Sequence, residues 1–206
     1  MEHFNLIVSI LLIHFLAVAS PGPDFVMVVK NALTYSRKTG IYTALGIGSG
    51  IIVHVVYTFL GVGLLIKEIP ALFNLIKYVG GIYIIYMGVM SIRSSADNKV
   101  VKGEKKEDIS KFKAYRIGFL TNALNPKASL FFLSLFTLMI KPGTNPYVLI
   151  LLGVLIVLQT TTWFIIISYF FTQEKIQKRY FQYEKVINVV FGIILILLAV
   201  KVIFFS

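Results

Sequence analysis

Apolar residues fill six stretches of this chain, and polar residues collect almost entirely between them. The stretches run from Phe4 to Val29, Ile41 to Ile66, Ala71 to Ile92, Tyr115 to Ile140, Pro146 to Phe171 and Val186 to Phe205. Each reaches the ~20 residues that a helix needs to cross a hydrocarbon core. Proline and glycine punctuate some of the gaps, at Pro70, Pro142-Gly143 and Asn145-Pro146. The pattern predicts an all-α integral membrane protein of six transmembrane helices. From Arg93 to Lys113 the chain turns hydrophilic, with four acids, seven bases and little apolar periodicity. That predicts a solvated linker (93–113) between a first three-helix unit (1–92) and a second (114–206).

Composition sharpens this picture. The chain is 57% hydrophobic and only 14% charged, against ~45–50% and ~25% in soluble domains. The apolar excess must face lipid, where an ionised side chain at mid-bilayer costs at least ~2.5–3.5 kcal/mol. Cysteine is absent, which excludes disulfides and thiolate metal sites. The net charge of +11 does not point to nucleic acid, because the bases sit in short connections rather than on one folded face. They orient the chain instead. The connections on one side hold three, eight and four lysines or arginines, fifteen in all; the side carrying the termini holds four, and Lys127 lies inside a span. The positive-inside rule predicts both termini outside and the charged linker in the cytoplasm. Ala17-Val18-Ala19 has the look of a leader-cleavage site. The start Met1-Glu2-His3 lacks the basic residues of a leader, however, so the first stretch is expected to remain as a span.

An odd number of spans per half turns the second half upside down relative to the first, as in the inverted repeats of secondary transporters. Polar interruptions fall in corresponding places: Ser20-Pro21-Gly22-Pro23-Asp24 in the first span and Thr121-Asn122-Ala123-Leu124-Asn125-Pro126-Lys127 in the fourth. A proline inside a helix removes one amide donor and leaves the carbonyl four residues earlier without a partner. Pro21 and Pro23 thereby free the carbonyls of Ala17 and Ala19, and Pro126 frees that of Asn122. Both spans are expected to break. Irregular backbone at membrane depth is tolerated only inside protein or beside a wet cavity. A broken helix offers a half-helix C-terminus to cations and a half-helix N-terminus to anions, poles that suit a zwitterion.

Asp24 and Lys127 are the acid and the base placed well inside spans. At ~1.5 Å per residue they lie ~9 Å beyond Lys30 and ~16 Å beyond Arg116, at broadly similar depths. Ionisable groups in a span default to function. The bland alternatives are a buried pair holding two helices, a helix cap at Asp24, or a snorkelling Lys127. Gly46 and Gly50 have a spacing that packs helices closely, within one chain or between the protomers of a homodimer. His54 reads as a proton relay or as a satisfied structural histidine; His14 has no partner visible in the sequence. Gln159 and Thr162 belong to a polar patch in the fifth span that either lines a pathway or makes packing hydrogen bonds. Tyr83 and Tyr86 share one helix face and read as packing residues. No serine-hydrolase elbow, phosphate loop or metalloprotease motif occurs. The chain is expected to be no enzyme, with no cofactor and no metal.

Pro21-Gly22-Pro23 near the end of the first span resembles the Pro-Gly-Pro signature of the lysine-exporter, homoserine/threonine-exporter (LysE/RhtB) family. Gly118 to Ala128, containing Asn122, Asn125, Pro126 and Lys127, resembles that family's second motif. Gly40 to Gly50 and Gly80 to Gly88 are also similar, so the resemblance covers essentially the whole chain. It implies a multi-pass protein of the bacterial inner membrane that exports amino acids or related small metabolites on an ion or proton gradient. Asp24 rests on the bilayer argument rather than on the family.

Together these readings predict alternating access between two inverted three-helix halves around broken first and fourth spans. Asp24 would attract a substrate ammonium or a coupling proton, and Lys127 would orient a substrate carboxylate. The alternative is an exporter of inorganic or metal cations on the same scaffold. A non-transporting membrane adaptor is a third class, with no use for a broken helix beside a buried carboxylate.

Overall fold

The computed structural model describes residues 2–68, 70–93, 106–141 and 143–205. Most of the expected linker and Pro142 lie outside the described residues. Eight helices form among those described: α1 (Glu2–Ala19), α2 (Pro23–Thr34), α3 (Arg37–Glu68), α4 (Pro70–Arg93), α5 (Lys111–Ala123), α6 (Pro126–Met139), α7 (Pro146–Phe170) and α8 (Glu174–Phe205). The first apolar stretch is thus a pair, α1 and α2, bent by 54° at Ser20-Pro21-Gly22. The fourth is likewise interrupted, between α5 and α6, at Leu124-Asn125.

Among the described residues, three helical stretches are long and apolar enough to cross a membrane: Arg37–Gly61, Pro146–Phe170 and Gln182–Val200. The bent α1–α2 pair makes a fourth. Apolar helix also covers Tyr78–Arg93, part of the 24-residue α4, and Pro126–Met139. Large apolar side chains stay exposed along the outer faces, Leu60, Ile82, Ile150 and Leu197 among them. Such a surface needs lipid rather than water around it.

Two boundaries differ from the sequence reading. α5 begins at Lys111, because the Ser110 hydroxyl accepts from the Lys113 amide and caps the helix inside the stretch expected as linker. Residues 106–110 are held in place as well: Asp108 accepts from Ser36 and Thr39 at 2.9 and 3.0 Å, tying this segment to the α2–α3 turn. α8 begins at Glu174 rather than Val186, so the bases of its first turns are helical.

Close backbone approach organises the interior. A Cβ on Gly46 would strike the Tyr115 carbonyl, and one on Gly118 would strike the Thr43 carbonyl, so α3 and α5 cross with their backbones in contact. The Gly46–Gly50 spacing is therefore used within the chain. Farther along the same crossing, a Cβ on Gly50 would lie 2.9 Å from the Asn122 side chain. α4 and α8 meet in the same way, Gly88 against the Gly192 carbonyl and Gly192 against that of Gly88. The largest apolar cluster joins α1, α3, α4, α6, α7 and α8 around Phe132, Phe136, Ile156 and Leu195. A second joins α2, α3, α7 and Phe171 around Val28, Ile47 and Phe164.

Candidate functional site

Both breaks end in a helix start of the same design. Gly22 is the N-cap of α2, with Pro23 and Asp24 following. Asn125 is the N-cap of α6, with Pro126 and Lys127 following. Proline suits the first helical position because its missing N–H is one the helix leaves unbonded anyway. The second position then carries the carboxylate in α2 and the ammonium in α6. A carboxylate there is favoured by the helix dipole; an ammonium is opposed by it. Packing alone gives no reason for a lysine at that place.

Asp24 Oδ2 accepts from the side-chain amides of Asn122 and Asn125, at 2.9 and 3.3 Å. Its other oxygen, Oδ1, is buried with no hydrogen-bond partner. Gly22, the N-cap of α2, has no side chain to cap it, and Asp24 meets the helix start through its charge in the first turn. Asn125 serves both helices: its Oδ1 caps α6 through the Lys127 amide at 3.0 Å while its amide reaches Asp24. The Lys127 side chain lies along Gly22, where a Cβ would come within 3.1 Å of its Nζ. Among the described residues no ion pair within 4.0 Å joins Lys127 to Asp24.

Asp24 and Lys127 both line one internal cavity, of about 40 Å³, together with Ser20, Gly22, Asn122 and Asn125. That is room for about three waters, less than an amino acid needs. On the other side of the break a groove of about 590 Å³ runs along α4 past Tyr83, Tyr86 and Met90 to Arg93. Ser20, Gly22, Pro23, Met87 and Lys127 border both spaces, while Pro21 and Pro126 border only the groove. The break thus separates a small cavity from a much larger groove.

The carbonyl freed by Pro126 does find partners. Asn122 O accepts from the Asn125 amide at 2.8 Å and faces His54 Nε2 at 2.8 Å. A carbonyl only accepts, so His54 carries a proton on Nε2. His54 Nδ1 lies 3.2 Å from the Tyr57 hydroxyl, which donates to Ser129 O, and the ring stacks on Phe132. His54 is therefore a bridge from α3 to both α5 and α6 rather than part of the cavity lining. Gln159 holds His14: its Oε1 faces His14 Nδ1 at 2.6 Å while its amide donates to Leu11 O. His14 lines the cavity beside Thr160 and is fully buried. Sequence reading left His14 without a role, and nothing local signals it, since its partner is 145 residues away. Thr162 is exposed, and neither it nor Gln159 lines the cavity.

Helices broken around opposed charges, within a body whose outer face is apolar, mark a multi-pass membrane protein. The comparisons agree. The family described as LysE type translocator matches residues 15–205, and the chain belongs to it. It is a translocator and not an enzyme. The chain is 30% identical to a threonine efflux protein of Escherichia coli K12, over 89% of this chain and 90% of that one. It is also 30% identical to a threonine efflux protein of Salmonella typhimurium, over 87% and 88% of the two chains. An uncharacterized membrane protein of Bacillus subtilis is 32% identical, over 88% and 90%. No solved structure matches.

Proposed function

We propose that this protein is a secondary active exporter of amino acids or closely related small metabolites across a bacterial cytoplasmic membrane, coupled to protons. The observation that carries the reading is the placing of Asp24 and Lys127 on one cavity with no ion pair between them. A carboxylate and an ammonium on one cavity without direct contact offer complementary poles to a zwitterion. The Asp24 carboxylate binds the substrate ammonium. Lys127 and the N-terminus of α6 bind its carboxylate. The names of the threonine efflux relatives favour an amino acid over an inorganic or metal cation.

In this reading α1–α4 and α5–α8 are two inverted repeats, each of three spans with the first span broken, and both termini lie outside. The groove ending at Arg93 is then the cytoplasmic entrance. The small cavity must widen to admit substrate, as alternating access requires. The matched helix starts at Pro23-Asp24 and Pro126-Lys127, and the reciprocal contact of Gly88 with Gly192, support the repeat.

The test is reconstitution in liposomes loaded with a pH-sensitive dye, offered L-threonine first and then a panel of amino acids and cations. Proton movement with an amino acid, lost in Asp24→Asn, is the expected result. A response to a cation and to no amino acid would overturn it.

A further inference from the structure

A second buried acid lies outside the cavity just described. Glu184, two residues inside the apolar stretch Gln182–Val200 of α8, is 1% exposed, and its Oε2 has no hydrogen-bond partner. One turn on, Asn188 is fully buried, and neither its side-chain oxygen nor its nitrogen has a partner. Three orphaned polar atoms on one buried helix face are costly, and each such group asks for an explanation. Structural packing supplies none, because an apolar pair at these positions would be cheaper.

Hydroxyls connect this pair to the broken first span. Ser91 of α4 donates to the Asn188 backbone carbonyl at 2.9 Å and accepts from Ser20 at 3.4 Å. Ser20 is the first residue of the break and borders both cavity and groove. Among the residues whose side chains are described, the elements packed against α8 bring Tyr78, Tyr83, Tyr86 and Arg93 from α4, His3 and His14 from α1, and Lys127 from α6, while α8 itself carries Lys175, Lys178, Arg179, Tyr183 and Lys185. Tyr180, one turn earlier on α8, is electrostatically linked to Glu184. Among the described residues no cation pairs with Glu184 within 4.0 Å.

We propose that Glu184, with Asn188 as its amide partner, is the site that carries the coupling proton, leaving Asp24 to the substrate. The chemistry fits both states of a carrier. The two side chains stand one turn apart and are not bonded to each other here; turned together, the Asn188 N–H would meet a Glu184 carboxylate and its carbonyl oxygen would accept from a carboxylic acid. One amide would thus serve either form, and the deprotonated state keeps its negative charge beside the polar first turns of α8. Only a proton moves, from the aqueous phase to a carboxylate oxygen and back. Ser91 and Ser20 place this face of α8 beside the break, where the substrate site lies.

This inference rests on the exporter reading, and the experiment separates the two. Wild-type, Glu184→Gln and Asp24→Asn proteins are reconstituted, and two transport modes are measured with L-threonine and the amino-acid panel. One is exchange of labelled for unlabelled substrate with no gradient. The other is uphill accumulation driven by a proton gradient. Glu184→Gln is expected to keep exchange and lose accumulation and its pH dependence, whereas Asp24→Asn loses both. Accumulation by Glu184→Gln at the wild-type level would overturn the assignment, as would accumulation that follows sodium rather than protons. Infrared titration of the protein in lipid needs no substrate: a carboxyl band that changes with pH should disappear in Glu184→Gln and persist in Asp24→Asn. A band unaltered by Glu184→Gln would also overturn it. Glu184→Asp keeps the carboxyl, should keep coupling, and guards against a folding defect. If wild type moves no amino acid while the infrared band still belongs to Glu184, the exporter reading fails and the proton site stands.

Discussion

Asp24 and Lys127 occupy the same position in two different helices, the residue after the proline that opens α2 and the residue after the proline that opens α6. Opposite charges at matching places face one cavity without forming an ion pair. Asn122 and Asn125 brace the carboxylate, and Gly22 leaves space for the ammonium.

If the two charges hold opposite ends of a substrate, removing either should weaken binding more than stability. A charge-assisted hydrogen bond is worth about 1.5–3 kcal/mol, which is roughly 10- to 150-fold in affinity. Asp24→Asn and Lys127→Gln are expected to lose at least the lower figure in a binding assay while remaining folded in detergent. Equal transport by both variants and wild type would remove these residues from the site.

Gly22→Ala probes the ammonium without changing a charge. Gly22 has extended backbone with φ of −164°, which alanine adopts readily. The added methyl would crowd Lys127 Nζ at 3.1 Å. The variant should fold normally and transport poorly. Unimpaired kinetics would show that the lysine moves aside at no cost to function.

Gly46→Ala and Gly118→Ala test the α3–α5 crossing. Here the obstacle is backbone, the Tyr115 and Thr43 carbonyls, and backbone cannot rotate away. Overpacking of this kind costs about 1–3 kcal/mol, occasionally more. Both variants should unfold at lower temperature in detergent, whereas Gly61→Ala, with open space around it, should not.

His54→Phe keeps a ring against Phe132 but removes a hydrogen bond to the Asn122 carbonyl. A buried carbonyl that loses a partner costs about 1–3 kcal/mol at most, and the Asn125 amide still bonds it. A modest loss of thermal stability is expected. A transport defect that also changes the pH profile would instead make His54 a relay.

Both breaks were legible because proline acts locally. It deletes a donor wherever it stands, so Pro21-Gly22-Pro23 and Asn125-Pro126 interrupt their helices whatever surrounds them. Glu184 was passed over for the opposite reason. Next to Glu174, Lys175, Lys178, Arg179 and Lys185 it reads as one more charge on a polar segment, and only the packing of α8 shows it buried. Thr162 illustrates the same limit: it sits in a polar patch whose members the helix distributes to different faces, Thr160 inward and Thr162 outward.

By itself the sequence determined the helical membrane character, the two breaks and the charges beside them. Each depends on composition or on chemistry within a few residues. Tertiary structure alone decided which polar groups meet. His14 and Gln159, His54 and Asn122, and Ser20, Ser91 and Asn188 come together from distant segments. The cavity at Asp24 also depends on how closely glycines let α3 approach α5. Helix formation satisfies each backbone from within, so nothing local dictates how one helix turns toward another; side-chain shape and the few buried hydrogen bonds do.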